Sequence, residues 1–353
     1  MDDVDFALVN ALQISPRATW AQLEAILGVD ATTLSRRWSR LADTGLVWSS
    51  CYAALPAERA RLSAGVLALV EVSCVAGERE NVIKSIAPNP SVLTIDCTSG
   101  SRELIVTLSF MSVSAVDGYV ATELAAVPGV LATRTHFTRT FFKEGTSWRL
   151  GTLGPRQLRA LRALPVTGLD APAAPTRLHE LVIAGLAGDV RRSATSIADE
   201  IGKSVATVTR AIGQIVHAPW ARTRIDFAHN VVGYNASVMV WFSVPHHQLE
   251  TVGAGLALMP ETRMCCSVVN KANLAAVLWL HNLQELDAIE TNIARAFPGT
   301  QIEDRWMLPR FAKRIGHILT PAGLHADFIM PNRASVPFPP TLRVASPWHS
   351  STP

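Results

Sequence analysis

The first 55 residues place their apolar side chains at helical spacing. In residues 23–27 the apolar positions share one face of a short helix, which Gly28 closes. In residues 30–41 an aspartate in capping position precedes leucine, tryptophan and leucine at i, i+4 and i+7, which predicts a second helix with one buried stripe. Residues 2–14 show the same spacing. Three helices are therefore predicted before Gly45, where the chain turns into an extended segment.

From Val66 onward the pattern changes from helical spacing to short apolar runs alternating with helical stretches. The order of these elements is βαββαβ, which predicts a ferredoxin-like unit. The predicted elements are residues 66–72, 78–86, 92–97, 103–110, 114–127 and 131–137.

Both patterns occur twice along the chain. Residues 197–215 repeat residues 23–41 without a gap, so that Gly202 falls on Gly28 and Arg210 on Arg36. The βαββαβ pattern also recurs without a gap, with Pro298-Gly299 falling on Pro128-Gly129. Apolar, glycine and arginine positions coincide over many aligned sites, which indicates an internal duplication.

The predicted fold class is α+β, with two winged helix-turn-helix domains alternating with two ferredoxin-like βαββαβ domains. The predicted segments are 1–56 (first winged helix-turn-helix), 63–147 (first βαββαβ domain), 148–175 (linker), 176–231 (second winged helix-turn-helix), 236–318 (second βαββαβ domain) and 319–353 (proline-rich tail, expected to be extended or partly disordered).

Composition narrows the class of protein further. The net charge of +3 is small, so a nucleic-acid surface must be a local patch. Residues 1–55 hold four basic and six acidic side chains, whereas residues 176–230 hold seven and five. The five cysteines show no Cys-x-x-Cys pair, which argues against a disulfide framework and a zinc site. No membrane-length apolar run and no basic-then-apolar leader occur, so we expect a cytoplasmic protein.

The second helix of each helix-turn-helix begins with short polar side chains and continues with arginine. This order suits a helix whose N-terminal end meets base edges while its arginines meet phosphates of double-stranded DNA. An ordinary amphipathic helical hairpin fits the same residues. The predicted DNA-binding residues are Thr32, Thr33, Ser35, Arg36, Arg37 and Arg40 in the first copy and Ser204, Ala206, Thr207, Thr209, Arg210 and Gln214 in the second, with Arg191-Arg192 also placed for phosphates.

These features resemble the Lrp/AsnC (feast/famine) family of transcriptional regulators, here as a tandem fusion. The residues that carry the resemblance are Leu23-x-x-x-Leu27-Gly28, Thr33-x-x-Arg36, Pro128-Gly129-Val130, Gly233-Tyr234-Asn235-Ala236, Asn273-Leu274, Trp279-Leu280, Pro298-Gly299 and Lys313-Arg314-x-Gly316. The resemblance implies DNA binding, dimerisation through the βαββαβ units and a site for a small-molecule effector such as an amino acid. It also favours a homodimer of chains, or a larger homo-oligomer, although the two units can equally pair within one chain.

The resemblance places the effector site at the turn between the second and third strands of each βαββαβ unit. A glycine turn exposes backbone N–H groups that can hold an anion, and Asn270 can take a left-handed conformation where the second copy lacks the glycine. Both turns lack the aspartate that ends the family's turn. The predicted effector-binding residues are Gly100, Ser101, Glu103, Asn270, Lys271 and Asn273.

An enzyme is the alternative class. Some haem-biosynthesis decarboxylases that act on tetrapyrroles resemble the same fold, and His229, Tyr234 and Asn235 lie where a substrate would dock. No catalytic triad order, carboxylate pair, phosphate-binding glycine loop or metal-ligand spacing is apparent. We therefore predict a regulator that is not an enzyme and needs no cofactor or metal. A sensor or scaffold that no longer binds DNA is the third alternative, because the first helix-turn-helix is acidic overall.

Overall fold

A computed structural model describes residues 1–55, 65–164, 171–332 and 336–337. The helices are α1 (Asp3–Ile14), α2 (Trp20–Leu27), α3 (Ala31–Asp43), α4 (Arg79–Ile86), α5 (Val113–Gly118, continued by a π-helical turn Tyr119–Leu124), α6 (Pro155–Arg162), α7 (Arg177–Leu186), α8 (Ala194–Ile201), α9 (Val205–His217), α10 (Leu249–Leu258) and α11 (Glu285–Ala296), with 3-10 turns at His229–Val232 and His246–Gln248.

Together with the helices, the strands form an α+β fold that divides into two compact units. The strands are β1 (Val47–Leu55), β2 (Val66–Cys74), β3 (Val92–Cys97), β4 (Leu104–Phe110), β5 (Val130–Lys143), β6 (Ala221–Phe227), β7 (Ala236–Ser243), β8 (Thr262–Val268), β9 (Leu274–Leu280), β10 (Gln301–Met307), β11 (Arg310–Arg314), β12 (His317–Leu319), β13 (His325–Phe328) and β14 (Val336–Pro337). One unit, the helix-turn-helix unit, comprises residues 1–55, 149–228 and 324–330, and the other, the βαββαβ unit, contains both βαββαβ copies.

The two helix-turn-helix copies form by the same local rules. Gly28 and Gly202 end α2 and α8 in the left-handed conformation, with φ of 71° and 65°, which glycine adopts without steric cost. The helices that follow, α3 and α9, bury one apolar stripe each. The stripes are Leu34, Trp38 and Leu41 in α3 and Val208, Ala211, Ile212 and Ile215 in α9.

The wing of the helix-turn-helix unit is a strand pair shared by both copies. β1 runs antiparallel to β6, and Ser50 lies opposite Arg224, its own counterpart 174 positions later. Ser49 and Cys51 accordingly pair with Ile225 and Thr223. The register is symmetric about Ser50 and Arg224, so the two copies are related by an approximate twofold axis.

Two arginines reinforce this pairing reciprocally. Arg17 donates hydrogen bonds to the backbone carbonyls of Val190 and Arg192, at 2.8 Å each. Arg191, the counterpart of Arg17, donates to the carbonyls of Pro16 and Ala18 at 2.7 and 3.1 Å.

The guanidinium of Arg191 also lies 4.2 Å from the ring centroid of Trp20. Burial, reinforced by the nearby charge of Arg17, lowers the pKa of Arg191 to about 10. Nη1 of Arg191 is thus engaged in the contact between the two copies, and the expectation that Arg191 also meets phosphates stays a prediction.

The βαββαβ unit forms one sheet from both copies. Its strand order includes β10-β7-β9-β8-β5-β2-β4-β3-β11. Each copy contributes four neighbouring strands, and the copies join twice, through β5 with β8 and β3 with β11. β10 and β11 are two halves of one segment interrupted at Leu308 and Pro309, and this segment pairs with β7 of its own copy and with β3 of the other. The pairing of the two βαββαβ copies, which the sequence left open, is therefore made within one chain.

A lysine at the end of each last strand reaches into the other copy. Lys143 donates to the carbonyl of Met259 at 2.9 Å, and its counterpart Lys313 donates to those of Ala87 and Asn89 at 2.7 and 2.9 Å. These carbonyls follow the C-terminal ends of α10 and α4, where a cation is favoured. Lys313 is fully buried, and burial lowers its pKa to about 8.

The structure corrects two expectations. Among the described non-glycine residues, Ile315 alone has a positive φ. Asn270 therefore does not take a left-handed conformation. Its side-chain oxygen instead accepts a hydrogen bond from the N–H of Lys271. The predicted tail contributes the segment 324–330 to the helix-turn-helix unit, where the N–H of His325 donates to the carbonyl of Gly45 at 2.8 Å.

The reciprocal arginines predict the cost of separating the two copies. Arg191→Met keeps an unbranched aliphatic side chain but leaves the carbonyls of Pro16 and Ala18 without these donors. We expect the free energy of unfolding to fall by about 2–4 kcal/mol in urea denaturation, because hydrogen bonds from charged groups contribute about 1.5–3 kcal/mol each. Arg156→Ala, at an exposed position of α6, is the control and should change it by less than about 0.5 kcal/mol. Equal stabilities of the two variants would contradict this role.

Candidate functional site

The first candidate surface lies on α3 and α9, the second helices of the two helix-turn-helix copies. Arg36 and Arg210 occupy equivalent positions, both are exposed, and neither side chain has a hydrogen bond or ion pair within the described part of the chain. Thr32, Ser204, Ala206 and Thr209 are also exposed, while Thr33, Ser35 and Thr207 are half-buried. Each helix thus presents short side chains followed by one arginine whose side chain has no partner within the described part of the chain.

The remaining predicted DNA-binding residues are engaged in internal contacts. Arg37 bridges Asp2 and Asp5 at 2.8 and 2.9 Å, and Arg40 pairs with Asp5 at 2.9 Å. The pKa of Asp2 is lowered, first by the N–H of Asp5 and then by Arg37. In the second copy, the side-chain oxygen of Gln214 lies 2.9 Å from Nε2 of His179. These three side chains hold α3 against α1 and α9 against α7.

The second candidate surface comprises the two turns of the βαββαβ unit. Gly100, Ser101, Asn270 and Lys271 are exposed, and Gly100 has a φ of 93°. Lys271 pairs with Glu303 at 3.1 Å. Each turn is anchored to the last strand of the other copy, since Ser99 pairs with Met307 and Val269 donates to Phe137 through backbone groups.

Two of the predicted effector residues have a structural task. The carboxylate of Glu103 accepts from the N–H of Cys74 at 2.6 Å. Asn273, its counterpart in the second copy, exchanges two hydrogen bonds with the backbone of Val244, at 2.9 and 2.8 Å. Both side chains close the end of the first strand of their own copy, so their polar groups are occupied.

Between the two turns lies a buried cluster that the sequence did not predict. The carboxylate of Glu71 pairs with Arg102 at 2.7 Å and accepts from Nε2 of His136 at 2.8 Å. Nδ1 of His136 accepts from Asn270 at 2.9 Å, so the two turns are linked through Glu71. Burial alone would raise the pKa of Glu71, but His136 and then Arg102 outweigh it and hold that pKa below its ordinary value.

Two tryptophans fill the other half of this cluster. Trp306 lies under the Arg102 guanidinium at 3.9 Å, and Trp241 contacts both Trp306 and His136 at ring-centroid distances of 4.8 and 4.9 Å. Trp241 and Trp306 are the counterparts, 170 positions later, of Glu71 and His136. A position-by-position comparison of the two copies would have marked these sites, because ionic residues of one copy stand where the other has aromatic ones.

A further buried cluster surrounds Trp279. His229 stacks on Trp279 at 4.8 Å with an interplanar angle of 16°. The guanidinium groups of Arg263 and Arg314 lie 4.6 and 5.1 Å from the same ring. Tyr234 contacts Trp279 at 5.9 Å and His281 at 4.6 Å. The side chains named for the enzyme alternative, His229 and Tyr234, are therefore brought together here, with aromatic rings and two buried arginines.

Comparison with known proteins identifies both domains of the first half. The model of the AsnC-type helix-turn-helix domain matches residues 1–42, and that of the Lrp/AsnC ligand binding domain matches residues 67–148. Residues 1–42 and 67–148 thus match the two domain models of the Lrp/AsnC family. One relative is the HTH-type transcriptional regulator FL11 of Pyrococcus horikoshii, which is 23% identical over 146 residues, 41% of this chain and 94% of that protein. An uncharacterized HTH-type transcriptional regulator of Pyrococcus abyssi is 19% identical over 145 residues, 41% of this chain and 90% of its own length.

A solved structure resembles this chain over nearly its whole length. The siroheme decarboxylase NirDL matches with a TM-score of 0.55 and 15% identity, covering 88% of this chain and 93% of that one. Its co-complex with an iron-uroporphyrin III analogue matches with a TM-score of 0.52 and 15% identity, covering 84% and 87%. This likeness concerns the fold alone.

Two other kinds of feature are absent from the described ranges. None of the helices there combines the length and the apolar character needed to span a membrane. No group of three or more His, Cys, Asp or Glu side chains there could hold a metal ion.

The Glu71 cluster predicts a pH-dependent contribution to stability. A carboxyl group whose pKa is lowered on folding stabilises the fold above its unfolded pKa of about 4.3 and loses that effect as the pH falls through the folded pKa. Glu71→Gln removes the nearer counter-charge of the buried Arg102, which keeps only the half-exposed Asp304 at 3.5 Å, and should cost about 3–5 kcal/mol at pH 7. In urea denaturation, the difference from the unmodified protein should shrink steadily below pH 4.3. A difference that stays constant down to pH 3 would contradict the assignment.

Proposed function

We propose that the protein is a sequence-specific, DNA-binding transcriptional regulator. The observation that carries this proposal is the pair of equivalent, exposed and uncommitted arginines, Arg36 and Arg210, on the helices that follow the helix-turn-helix turns. An arginine there can reach phosphates or the O6 and N7 atoms of guanine in the major groove. The names of the curated relatives support the same function.

One chain supplies both of the helix-turn-helix domains that a regulator of this family needs. Both helix-turn-helix copies share the wing formed by β1 and β6. The sheet pairing between βαββαβ copies is likewise made within the chain. The homodimer of chains stays a prediction, and it would have to form through a surface other than these two.

We further propose that a small-molecule effector binds at the exposed parts of the two turns. Gly100 and Ser101 offer backbone N–H groups to a carboxylate, and the exposed Lys271 offers a cation that would leave its surface pair with Glu303, while Asn270 holds the turn against His136. The hydrogen-bonded link through His136 and Glu71 would let a ligand at one turn affect the other. Titration calorimetry with amino acids should show binding that Lys271→Ala weakens. A panel without any binding would remove the effector from this proposal.

Tetrapyrrole decarboxylation is a second candidate, favoured by the near-complete fold match to NirDL. Arg263, Arg314, His229 and Tyr234 around Trp279 are groups that suit an aromatic, polyanionic molecule. However, these side chains already contact one another and fill the cluster. Purified protein should therefore show no tetrapyrrole absorbance, either as isolated or after addition of iron-uroporphyrin III. A stoichiometric absorbance band that Arg263→Ala removes would instead favour the enzyme.

The DNA-binding proposal predicts the effect of removing both uncommitted arginines. The double change Arg36→Ala with Arg210→Ala should weaken binding to duplex DNA from the flank of the protein's own gene. A lost phosphate contact lowers the salt slope of binding by about one unit, whereas a lost base contact costs roughly 1–3 kcal/mol and relaxes specificity. Arg139→Ala, at an exposed position of β5, is the control. Unchanged affinity of the double variant in gel-shift titrations would show that these helices do not bind DNA.

A further inference from the structure

The two predicted recognition helices have diverged at equivalent positions. Arg37 and Arg40 of α3 correspond to Ala211 and Gln214 of α9, and Asp5 of α1 corresponds to His179 of α7. The ionic contact of Arg40 with Asp5 in the first copy is thus replaced by a contact of Gln214 with His179 in the second. The two copies therefore differ in the charged side chains that remain available to contact DNA.

In the first copy, the additional arginines Arg37 and Arg40 make ion pairs within the protein. Asp5 is 1% exposed, and Arg37 and Arg40 both contact its carboxylate. Withdrawing a counter-charge from a buried carboxylate costs several kcal/mol. A phosphate at the DNA surface would have to compete with that cost, so Arg37 and Arg40 are poor DNA ligands. Arg36 is the remaining cation of α3.

The N-terminal end of α3 is negatively charged. The carboxylate of Asp30 accepts from the N–H groups of Thr32 and Thr33 at 2.9 and 3.0 Å, and Glu24 accepts from that of Ala31 at 3.3 Å. Two carboxylates therefore stand at the end of the helix that would meet the bases. They lie within a Debye length of approaching phosphates and repel them.

The same end of α9 carries the opposite charge. Its cap is Ser204, a neutral residue whose hydroxyl accepts from the N–H of Thr207. Lys203 precedes the cap, is exposed and has no hydrogen bond or ion pair through its side chain among the described residues. Val205 is 44% exposed and offers an apolar contact for a thymine methyl group. The acidic Glu200 on α8 is paired with Arg192.

From this contrast we infer that α9 alone reads base sequence, and that α3 contributes no sequence specificity. The partner is then an asymmetric DNA site with a single specific half-site, although the two copies are arranged about an approximate twofold axis. This inference rests on the proposed DNA-binding function and adds which of its two helices determines the sequence.

The test begins with selection of bound sequences from a random duplex library by the full chain. One conserved half-site without an inverted repeat is expected. Affinities for the selected duplex are then compared for Arg210→Ala and its matched counterpart Arg36→Ala. Arg210→Ala should weaken binding at least tenfold, which equals about 1.4 kcal/mol, and Arg36→Ala less than threefold. Thermal unfolding of both variants should be unchanged, because neither arginine has a partner to lose.

A gain-of-function variant tests the charge argument separately. Asp30→Ser gives α3 the cap that α9 has, so the helix should still form, and it removes one repelling carboxylate. Tighter binding to DNA of unrelated sequence is expected, with the selected half-site unchanged.

Two results would overturn the inference while leaving DNA binding intact: a selected inverted repeat, or equal losses from Arg36→Ala and Arg210→Ala. Selection of no sequence at all would overturn the proposed function together with the inference.

Discussion

The structure depends on one constraint: the two copies of each repeated segment pair with each other symmetrically within the chain. The wing register is centred on Ser50 and Arg224, and Arg17 and Arg191 exchange equivalent hydrogen bonds across it. In the βαββαβ unit, each copy's last strand leaves its own sheet and continues in that of the other. Such pairings need two copies of one segment, which a dimer supplies as two chains and this protein supplies by duplication.

Once both copies belong to one chain, they can diverge independently. Glu71 and His136 face Trp241 and Trp306, so one buried cluster combines an ionic half with an aromatic half. In a dimer of identical chains, two copies of Glu71 would oppose each other there. The helices α3 and α9 have diverged in the same way, with Asp30 in one and Ser204 in the other at the capping position.

Much of the fold could be predicted because its signals are local. Gly28, Gly202 and the βαββαβ alternation locate elements within a few residues of their observed bounds, and the ungapped repeat identifies the duplication. The intrachain pairing could not be predicted, since identical segments pair equally well between chains. On the candidate sites, helix position indicated Arg36 and Arg210, but it could not show that Arg37 and Arg40 are held by a buried aspartate 32 or more residues away. The Glu71 cluster depends on strand register across two copies, which no local pattern encodes.

The most direct measurement of the central claim is cross-linking across the wing. Tyr52 and Arg222 are register partners in β1 and β6, so the double variant Tyr52→Cys with Arg222→Cys can form a disulfide. The natural Cys51 beside this pair is buried, and burial raises the pKa of its thiol to about 12, which keeps it unreactive. After oxidation, intrachain pairing predicts a cross-linked product with the mass of one chain, 38.1 kDa. A disulfide-linked product of two chains would show that the wing pairs between chains and would contradict the account.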